Sequence, residues 1–371
     1  MEEQTRPVAV AAAVLWRGGR FLLCRRPAGK ARGLQWEFPG GKLEPGKTLR
    51  QALARECREE LGADVFVGGL FQTLPFRYPD ITVTLSFYHC AVNGREPAAL
   101  EPDALMWVTP AEALDYDLCP ADRLAAGQLA LQPVVPGSAS ALLAGRLAEL
   151  ADPAYRAFNL SLIPGVGEEV SLGVRLPDIH RLGRELSGTP LAGAFLAELP
   201  HRLLELDQLH GDLLSRMKDF GTLVAALDRF LPYVDNWAVC DSISPKIFAR
   251  HTEQLYPRLL SWLASGHTYT VRFAVRMLMS FYLGSAYRPE QLLLVASLRS
   301  EAYYVRMMAA WYLATALALR YEDAVGILEQ RRCDAWTHNR AIQKAVESRR
   351  IPEERKQYLR SLRVRLPAAK S

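Results

Sequence analysis

The sequence has few of the features that mark secreted, membrane or disulfide-bonded proteins. It has six cysteines in 371 residues, and no two of them form a Cys-x-x-Cys pair. Scattered single cysteines argue against a disulfide framework and against a zinc site, and they favour reduced thiols. No apolar run reaches the length that spans a bilayer, and the first residues lack the basic and then apolar pattern of a secretion signal. These absences predict a cytoplasmic protein without a membrane partner.

The length and the uneven charge of the chain predict two domains. A chain of 371 residues exceeds one ordinary hydrophobic core. Residues 1–135 carry a formal net charge of −1, whereas residues 136–371 carry +6, which favours a polyanionic partner for the second part. Because the stretch from 131 to 141 is rich in Pro, Gly and Ser, we predict domains at 1–132 and 142–371, joined by a linker at 133–141.

One stretch of the first domain joins a glycine-rich loop to a helix. Gly40 and Gly41 allow the backbone of this loop to approach a ligand closely. Thr48 and Gln51 form a capping-box pair, which predicts that a helix begins there. Gly62 is typical of a left-handed C-cap, so the helix is expected to end at that residue.

The predicted helix carries three crowded carboxylates. Glu56 and Glu60 are four residues apart on one face, and Glu59 lies beside them. Carboxylates this close repel one another unless a cation lies among them. Their oxygen atoms suit Mg²⁺, with Mn²⁺ as the alternative, and such ions commonly bridge substrate phosphates. A solvated acidic face is the other interpretation, but the glycine loop favours a metal–phosphate site.

This stretch resembles the Nudix box, a long signature of a family of hydrolases. The positions that match are Gly41, Arg55, Glu56, Cys57, Glu59, Glu60, Gly62 and Ala63. Lys47 departs from the pattern, because the family has glutamate there. The resemblance implies an α/β fold with a mixed sheet between helices. It also implies a metal held by Glu56, Glu60 and the backbone of Gly40.

Residues 1–130 resemble, more narrowly, the MutT-type branch of that family, which hydrolyses nucleoside triphosphates to monophosphate and pyrophosphate. The matching features are Arg25-Arg26, the run from Trp36 to Gly41, Tyr78-Pro79-Asp80, Glu101 before Trp107, and the run from Cys119 to Asp122. The resemblance implies that Glu59 or Glu101 acts on the attacking water. It also implies that the substrate is contacted by Arg26, Glu37, Gly41 and Asp122.

More than one base would suit the predicted substrate site of the first domain. A carboxylate at Asp122 would favour a base that offers N–H donors, such as the oxidised purine of 8-oxo-dGTP or the amino group of cytosine in CTP or dCTP. Asp122 could instead cap a helix that begins at Arg123. A sugar nucleotide as substrate and a non-catalytic, ligand-sensing Nudix fold are the remaining alternatives.

Strand signals disappear after the linker, and amphipathic helices follow one another. Among the predicted helices are 191–206 and 213–230. Arg272, Arg306 and Arg340 recur at a spacing of 34 residues, each near the start of a helix. Paired helices at this spacing predict an all-α solenoid, in which arginines in phase would line one phosphate-binding surface. Alternatively, each arginine forms an ion pair within its own repeat.

Three segments of the second domain together resemble the AlkD-like DNA alkylation-repair proteins, which are built of HEAT-like repeats. They are residues 236–241, 271–274 and 303–311, within a similarity that extends over about residues 145–365. In that family two tryptophans, an aspartate and an arginine surround the damaged nucleotide. The resemblance implies those roles for Trp237, Trp311, Asp241 and Arg272. The 34-residue period adds Arg306 as a further predicted DNA contact.

The resemblance also implies a partner and a reaction for the second domain. The partner is duplex DNA, and the reaction is hydrolysis of the N-glycosidic bond of an N3- or N7-alkylated purine. Asp241 would stabilise the sugar cation as the catalytic residue, the tryptophans would supply π faces, and Arg272 would hold a backbone phosphate. A helical scaffold that binds DNA or protein without catalysis is the alternative.

Overall fold

The computed structural model describes residues 7–131 and 137–365. The chain forms two compact units. One comprises the residues up to Leu162 together with Gly167–His210, and the other comprises Ile163–Val166 and the residues from Gly211 onward. Within the two described ranges, no helix is both long enough and apolar enough to cross a membrane.

The described part of the first unit contains a seven-stranded mixed sheet. Its strands are β1 (Val8–Arg17), β2 (Arg20–Arg25), β3 (Trp36–Glu37), β4 (Gly40–Lys42), β5 (Val65–Arg77), β6 (Thr82–Val92) and β7 (Ala104–Val108). Their order is β3-β2-β1-β6-β5, with β4 paired to β1 and β7 paired to β2. Strands β1 and β6 are parallel, whereas the other pairs are antiparallel. The prediction of a mixed sheet is confirmed.

Strand β1 is buried on both faces of the sheet. Because side chains alternate along a strand, Val14 packs in one hydrophobic cluster with helix α2 (Pro120–Leu131). Leu15 points to the opposite face and packs in a second cluster with helix α1 (Leu49–Leu61). The sheet therefore lies between two helices, and α1 is fixed against the centre of the sheet.

Helix α1 begins and ends where the sequence predicts. The Thr48 hydroxyl accepts a hydrogen bond from the Gln51 backbone N–H at 3.3 Å, and the Gln51 side chain accepts one from the Thr48 N–H at 3.0 Å. Gly62 ends the helix in the left-handed conformation, with φ of 62°. Local capping signals therefore fix the helix that carries the clustered glutamates.

The remaining described elements are helical, so the predicted succession of an α/β region and an all-α region is confirmed. The helices are α3 (Ala139–Ala148), α4 (Pro153–Ser161), α5 (Leu176–Leu186), α6 (Pro190–Ala197), α7 (Leu204–Arg216), α8 (Phe220–Phe230), α9 (Trp237–Ser242), α10 (Thr252–Leu263), α11 (Thr268–Phe281), α12 (Glu290–Ala296), α13 (Tyr303–Leu319), α14 (Tyr321–Glu329), α15 (Ala335–Glu347) and α16 (Glu353–Ser361).

The predicted linker overlaps a helix. Residues 132–136 lie outside the described ranges. Helix α3 already begins at Ala139, because the Ser138 hydroxyl accepts a hydrogen bond from the Ala141 N–H at 3.0 Å. The last residues of the predicted linker are therefore helical. The compact first unit includes α3 together with the sheet, and the domain boundaries at 132 and 142 stay a prediction.

Two predicted helices of the second region are divided differently in the structure. The predicted spans 191–206 and 213–230 correspond to three helices, α6, α7 and α8. The breaks follow local signals, since Pro200 interrupts the first span and the Asp219 side chain caps α8 through the Thr222 N–H at 2.8 Å.

The arginines that recur at 34 residues lie near the starts of α11, α13 and α15. Helix α13 packs against both α11 and α15 within the second unit. The predicted helix–turn pattern is therefore present, and the HEAT-repeat assignment itself stays a prediction.

Candidate functional sites

A cavity of about 370 Å³ opens in the first unit beside strands β1 and β4. Its lining includes all four residues predicted to contact substrate, which are Arg26, Glu37, Gly41 and Asp122, and it also includes Gly40. These residues come from the segment after β2, from strands β3 and β4, and from helix α2. The fold thus gathers in one place side chains that are spread over almost 100 positions of the sequence.

An ion pair forms one wall of this cavity. The Arg26 Nη1 atom lies 2.5 Å from the Glu37 Oε2 atom, and the Arg26 Nε donates to the Ala31 carbonyl at 2.7 Å. Burial raises the pKa of Glu37, and the neighbouring Arg26 charge opposes that rise. The pair therefore places one fixed positive and one fixed negative charge at the cavity wall.

Asp122 lies at the buried end of the same cavity. Its side chain is 4% exposed, and its Oδ1 atom accepts a hydrogen bond from the Phe38 N–H at 3.0 Å. Burial, followed by the charge of Glu37, raises the pKa of Asp122 to about 7. Helix α2 begins at Pro120, so Asp122 lies within its first turn and does not cap a helix starting at Arg123.

Four carboxylates act on one another beside helix α1. Burial and, in decreasing order, the charges of Glu56, Glu37 and Glu101 together raise the pKa of Glu60 to about 7. The Glu101 backbone N–H donates to the Glu60 carbonyl at 3.2 Å, which brings the segment before β7 to the end of α1. The predicted glutamates therefore lie in one electrostatically coupled group.

The two loop glycines are required for packing around these carboxylates. A Cβ atom at Gly41 would lie 2.2 Å from Glu56 Cδ, and a Cβ atom at Gly40 would lie 2.1 Å from the Ala11 carbonyl oxygen. Only glycine allows β4 to pair with β1 while the Glu56 carboxylate lies over the loop. The sequence predicts that this backbone approaches a ligand closely. In the structure, the atoms nearest to the two glycines belong to Glu56 and Ala11.

The donor set beside α1 fits a hard divalent cation. Glu56 and Glu60 offer oxygen ligands. These two carboxylates and Glu101 repel one another, and a bound cation would neutralise their negative charge. Within residues 7–131 and 137–365, no three ligating side chains are already assembled as a metal site. Arg55 pairs with Glu56 and with Glu59 at 2.6 Å each, while burial raises the pKa of Glu56.

A carboxylate that sequence reasoning missed lies beside Arg55. Glu44 Oε1 is 3.4 Å from Arg55 Nη2, three positions before Lys47. Lys47 itself is exposed. The loop therefore supplies an acidic partner for Arg55 although position 47 is a lysine. The spacing of the Nudix box directs attention to position 47, so only the folded loop reveals Glu44.

The second unit contains a buried ion pair between α9 and α11. Arg272 donates from Nε to Asp241 Oδ1 at 2.9 Å and from Nη2 to Asp241 Oδ2 at 2.6 Å, and its Nη1 donates to the Tyr304 carbonyl at 3.0 Å. The Arg272 side chain is 3% exposed, whereas that of Asp241 is 21% exposed. The carboxylate therefore reaches solvent, and the guanidinium lies behind it.

This geometry differs from the phosphate contact predicted for Arg272. Residues 269–275 of helix α11 are all buried, so the guanidinium has no open face toward solvent. Arg272 instead holds the Asp241 carboxylate through a bidentate contact. The alternative stated for the recurring arginines is an ion pair within their own repeat, whereas the partner of Arg272 lies 31 residues earlier, on α9.

Trp311 lies beside the same ion pair and is 38% exposed. Its ring centroid is 5.8 Å from the Arg272 guanidinium carbon and 5.8 Å from the Lys344 Nζ atom. Trp311 and Lys344 also line a cavity of about 210 Å³ together with Arg350. Trp237 begins helix α9 and is partly buried, one turn before Asp241. The fold thus presents an aromatic face and basic side chains next to a carboxylate.

Arg306 is partnered in a similar way. Its Nη2 atom lies 2.9 Å from Asp334 Oδ1, and its guanidinium carbon lies 4.8 Å from the Trp336 ring centroid. Arg340 lies over the same ring at 5.4 Å. The Arg306 side chain is 24% exposed, so a DNA contact by Arg306 stays a prediction.

Comparison with known proteins assigns both regions. The NUDIX domain family matches residues 5–127. CTP pyrophosphohydrolase of Escherichia coli K12 is 41% identical over 115 residues, which are 31% of this chain and 85% of that protein. The chain belongs to the Nudix family. The 8-oxo-dGTP diphosphatase of Proteus vulgaris is 42% identical to this Nudix protein over 80 residues, which are 21% of this chain and 71% of that relative.

The region after the Nudix domain matches the DNA alkylation repair enzyme family over residues 143–325. The protein is therefore a Nudix hydrolase fused to a DNA alkylation repair domain. The two resemblances predicted from the sequence are confirmed. The resemblance implies four residues at the lesion site of the repair domain, and three of them lie together. Arg272 is bonded to Asp241, and its guanidinium carbon lies 5.8 Å from the Trp311 ring centroid.

Sequence reasoning also missed one neighbour of the Nudix cavity. The Arg32 guanidinium carbon lies 4.2 Å from the Tyr78 ring centroid, and Arg32 Nη1 pairs with Asp80 at 2.8 Å. All three residues line the cavity. Arg32 has a φ of 59°, an uncommon conformation for a residue other than glycine that residue type alone does not signal.

Proposed function

We propose that the Nudix domain hydrolyses a nucleoside triphosphate, with 8-oxo-dGTP as the preferred substrate, to the monophosphate and pyrophosphate. The observation that carries this proposal is the convergence of two groups on one region of the first unit. The Arg26–Glu37 pair and Asp122 line the cavity, and the coupled carboxylates of α1 lie beside it. One group suits a base and a phosphate, and the other suits a cation bound to phosphate oxygens.

Mg²⁺ is the proposed cofactor, with Mn²⁺ as the alternative, and Glu56, Glu60 and the main chain of Gly40 would hold it. When bound, such a cation neutralises charge that develops on the phosphates. Arg26 would bind a phosphate oxygen through the guanidinium group that now pairs with Glu37. These residues fix the phosphate chain relative to the helix.

Glu59 and Glu101 are the candidates for orienting or deprotonating the attacking water. Both side chains are about half exposed, so each is accessible to a water molecule. Glu59 is bonded to Arg55, whereas Glu101 is 3.2 Å from Lys30 Nζ. A general base takes up the proton that the water loses, and these cationic partners lie close enough to orient each carboxylate.

Asp122 is proposed to read the base, and the preference for the oxidised base is expected to depend on pH. An ionised Asp122 accepts a strong hydrogen bond from the extra N–H of 8-oxoguanine, whereas a protonated Asp122 keeps only its carbonyl oxygen as a weaker acceptor. With a pKa of about 7, the ionised fraction rises from about a tenth at pH 6 to about nine-tenths at pH 8. The ratio of kcat/KM for 8-oxo-dGTP to that for dGTP should therefore rise several-fold over this range.

Groups that titrate with the same effect on both substrates do not change the ratio of kcat/KM for 8-oxo-dGTP to that for dGTP. In Asp122→Asn, which has no titration at this position, the ratio should stay flat from pH 6 to pH 8. A wild-type ratio that is equally flat, or that falls with pH, would show that the Asp122 carboxylate does not select the oxidised base.

CTP or dCTP is a second candidate substrate, because the Escherichia coli relative with 41% identity is a CTP pyrophosphohydrolase. The cytosine amino group is also an N–H donor, so an ionised Asp122 accepts from it as well. The discriminating comparison is kcat/KM for 8-oxo-dGTP against dCTP at pH 8. A higher value for dCTP would replace 8-oxo-dGTP as the preferred substrate.

The loop residues Glu44 and Lys47 are expected to tune the cation requirement. Glu44→Gln removes a partner of Arg55, and Arg55 then neutralises the charge of Glu56 more fully. The Mg²⁺ concentration for half-maximal rate should therefore rise about two- to fivefold, which is the scale of one exposed ion pair. Adding Lys47→Glu to the Glu44→Gln variant should return the Mg²⁺ concentration for half-maximal rate to the wild-type value. Glu96→Gln, which affects an exposed pair with Arg17, is the control. An unchanged requirement in Glu44→Gln would leave the loop without this role.

For the second region we propose binding of duplex DNA and excision of an N3- or N7-alkylated purine. Such a base is cationic and leaves readily, so the site needs mainly to stabilise the sugar cation. Asp241 is the proposed catalytic residue, with Trp237 and Trp311 supplying π faces and Arg306 binding phosphate. The exposed Asp241 edge beside Trp311 supports this proposal.

Arg272 has a different proposed role from the phosphate contact implied by the sequence. Its bidentate bond with Asp241 favours a positioning role, in which it fixes the orientation of the carboxylate. A scaffold that binds DNA or protein without excision remains the alternative function of this domain. Loss of activity in an Asp241 variant separates the two, because a scaffold does not need that charge.

A further inference from the structure

The first turn of helix α1 is tied to strand β5 by one arginine. Arg50, the second residue of α1, donates from Nη1 to the Val67 carbonyl at 2.7 Å and also to the Gly68 carbonyl. Its guanidinium carbon lies 4.7 Å from the Tyr88 ring centroid. The side chain is only 17% exposed. Arg50 therefore fixes where α1 begins relative to the sheet.

The charge of Arg50 is balanced by Glu149, which follows helix α3. Arg50 Nη2 forms an ion pair with Glu149 Oε2. The other oxygen of Glu149 accepts a hydrogen bond from the Leu70 backbone N–H at 2.6 Å. Arg146 lies further away, at 3.7 Å. Both oxygens of one carboxylate thus connect α3 with α1 and with β5.

Close backbone packing holds α3 against the same strand. A Cβ atom at Gly69 would lie 2.9 Å from the Gly145 carbonyl carbon, and one at Gly68 would lie 2.5 Å from Leu142 Cδ1. The pairing of β5 with β6 shifts register between Val67 and Leu70, so the two glycines lie in the irregular part of the strand. The position of Glu149 is therefore determined by packing and not only by its ion pair.

The start of α3 is fixed independently. Glu198 accepts hydrogen bonds from the Ala139 N–H at 2.8 Å and from the Ser140 N–H at 2.7 Å. Helix α6, which precedes Glu198, is attached to the sheet through its Leu191 N–H, which donates to Asn93 at 3.2 Å. Helix α3 is thus held at both ends within the first unit.

We infer that Glu149 is a positioning residue for the hydrolysis reaction. It lies beyond the Nudix match, which ends at residue 127, and within the alkylation-repair match. By holding Arg50, it fixes the start of α1, and with it the distance of Glu56 and Glu60 from the glycine loop. This inference rests on the proposed function of the Nudix domain. It means that Glu149, a residue within the alkylation-repair match, contributes to the active site of the Nudix domain.

The test is Glu149→Gln in the full-length protein. Glutamine keeps an acceptor for the Leu70 N–H but removes the charge that faces Arg50. We expect kcat to fall about tenfold, less than the hundredfold that a displacement of 1 Å costs. KM for the triphosphate should stay within about twofold, because the Arg26 and Asp122 contacts are untouched. The Mg²⁺ concentration for half-maximal rate should rise several-fold.

Two further variants separate positioning from general stability. Glu96→Gln breaks an exposed ion pair with Arg17 that does not involve α1, and it should leave kcat and the Mg²⁺ requirement unchanged. Arg50→Gln should lose at least as much kcat as Glu149→Gln, because it also removes the bonds to the Val67 and Gly68 carbonyls. The double variant should lose no more than Arg50→Gln alone, because the two residues share one connection.

Cation binding is also measured without turnover, as the rise of the thermal midpoint with Mg²⁺ concentration. A weaker Mg²⁺ dependence in Glu149→Gln than in the wild type supports the inference. A lower midpoint without cation, accompanied by an unchanged Mg²⁺ dependence and unchanged kcat, would overturn it and leave Glu149 a purely structural residue. If the wild type hydrolyses no triphosphate, the proposed function fails, and the Mg²⁺ dependence of the midpoint still decides the role of Glu149.

Discussion

Replacing Glu60 with glutamine is expected to lower kcat for triphosphate hydrolysis by about a hundredfold to a thousandfold, the scale of one electrostatic group in an active site. Glu60 lies at the centre of the carboxylate group beside α1, where burial and three neighbouring glutamates raise its pKa to about 7. Glutamine has nearly the same shape but cannot supply the negative charge that a divalent cation requires. The measurement is the initial rate of pyrophosphate release at saturating triphosphate and Mg²⁺.

A second readout separates lost chemistry from lost folding. A raised carboxyl pKa means that the ionised form is disfavoured in the folded state, so at pH 8 without cation Glu60→Gln should raise the thermal midpoint. Addition of Mg²⁺ should raise the midpoint of the wild type but not that of the variant. Turnover of the variant equal to that of the wild type would remove Glu60 from the site.

Replacing Asp241 with asparagine is expected to lower the rate of purine excision about a hundredfold, because one charge facing the sugar cation is worth about 3 kcal/mol. DNA affinity should stay constant or rise slightly, since a negative charge near the phosphates is removed. The measurement is release of 7-methylguanine from alkylated duplex DNA under single-turnover conditions, corrected for spontaneous depurination.

Asp228→Asn provides a matched control in the same unit. Asp228 also accepts hydrogen bonds from an arginine, Arg258 at 3.0 Å, and it accepts one from the Trp262 indole at 2.8 Å. Its loss weakens an ion pair of similar geometry without touching Asp241. If both variants lose excision equally, the effect is one of stability. If the wild type releases no base above background, the domain is a DNA-binding scaffold.

The sequence was most informative where structure depends on near neighbours. The capping pair Thr48–Gln51 and the C-cap Gly62 place helix α1 correctly, because both signals act within a few residues. Strand β1 also follows from its continuous apolar run, which is what a strand buried on both faces requires. The helix that carries the candidate metal ligands was therefore predictable without the fold.

Contacts between distant segments were not predictable in the same way. Arg272 looked like a surface arginine because it recurs in phase with Arg306, but burial of α11 turns it toward Asp241. Strand β5 has no regular alternating pattern, because Gly68 and Gly69 interrupt it where α3 packs on it. In both places the outcome depends on which helix covers the residue, and that is a property of packing.

The same reason applies to the last residues of the predicted linker. Pro, Gly and Ser favour an extended connection, but Ser138 is also a good N-cap, and Ala139 begins a helix that packs on strand β5. Composition alone does not distinguish these outcomes, whereas the Gly69–Gly145 contact does.

The most direct test of the account is a substrate panel for the purified full-length protein. 8-oxo-dGTP, dGTP, CTP and dCTP are incubated with Mg²⁺ at pH 8, and the monophosphate and pyrophosphate are measured. The account predicts that 8-oxo-dGTP has the highest kcat/KM and that both products form in equal amounts. It also predicts that Glu60→Gln abolishes most of this turnover. Release of inorganic phosphate instead of pyrophosphate, or no turnover of any triphosphate, would contradict it.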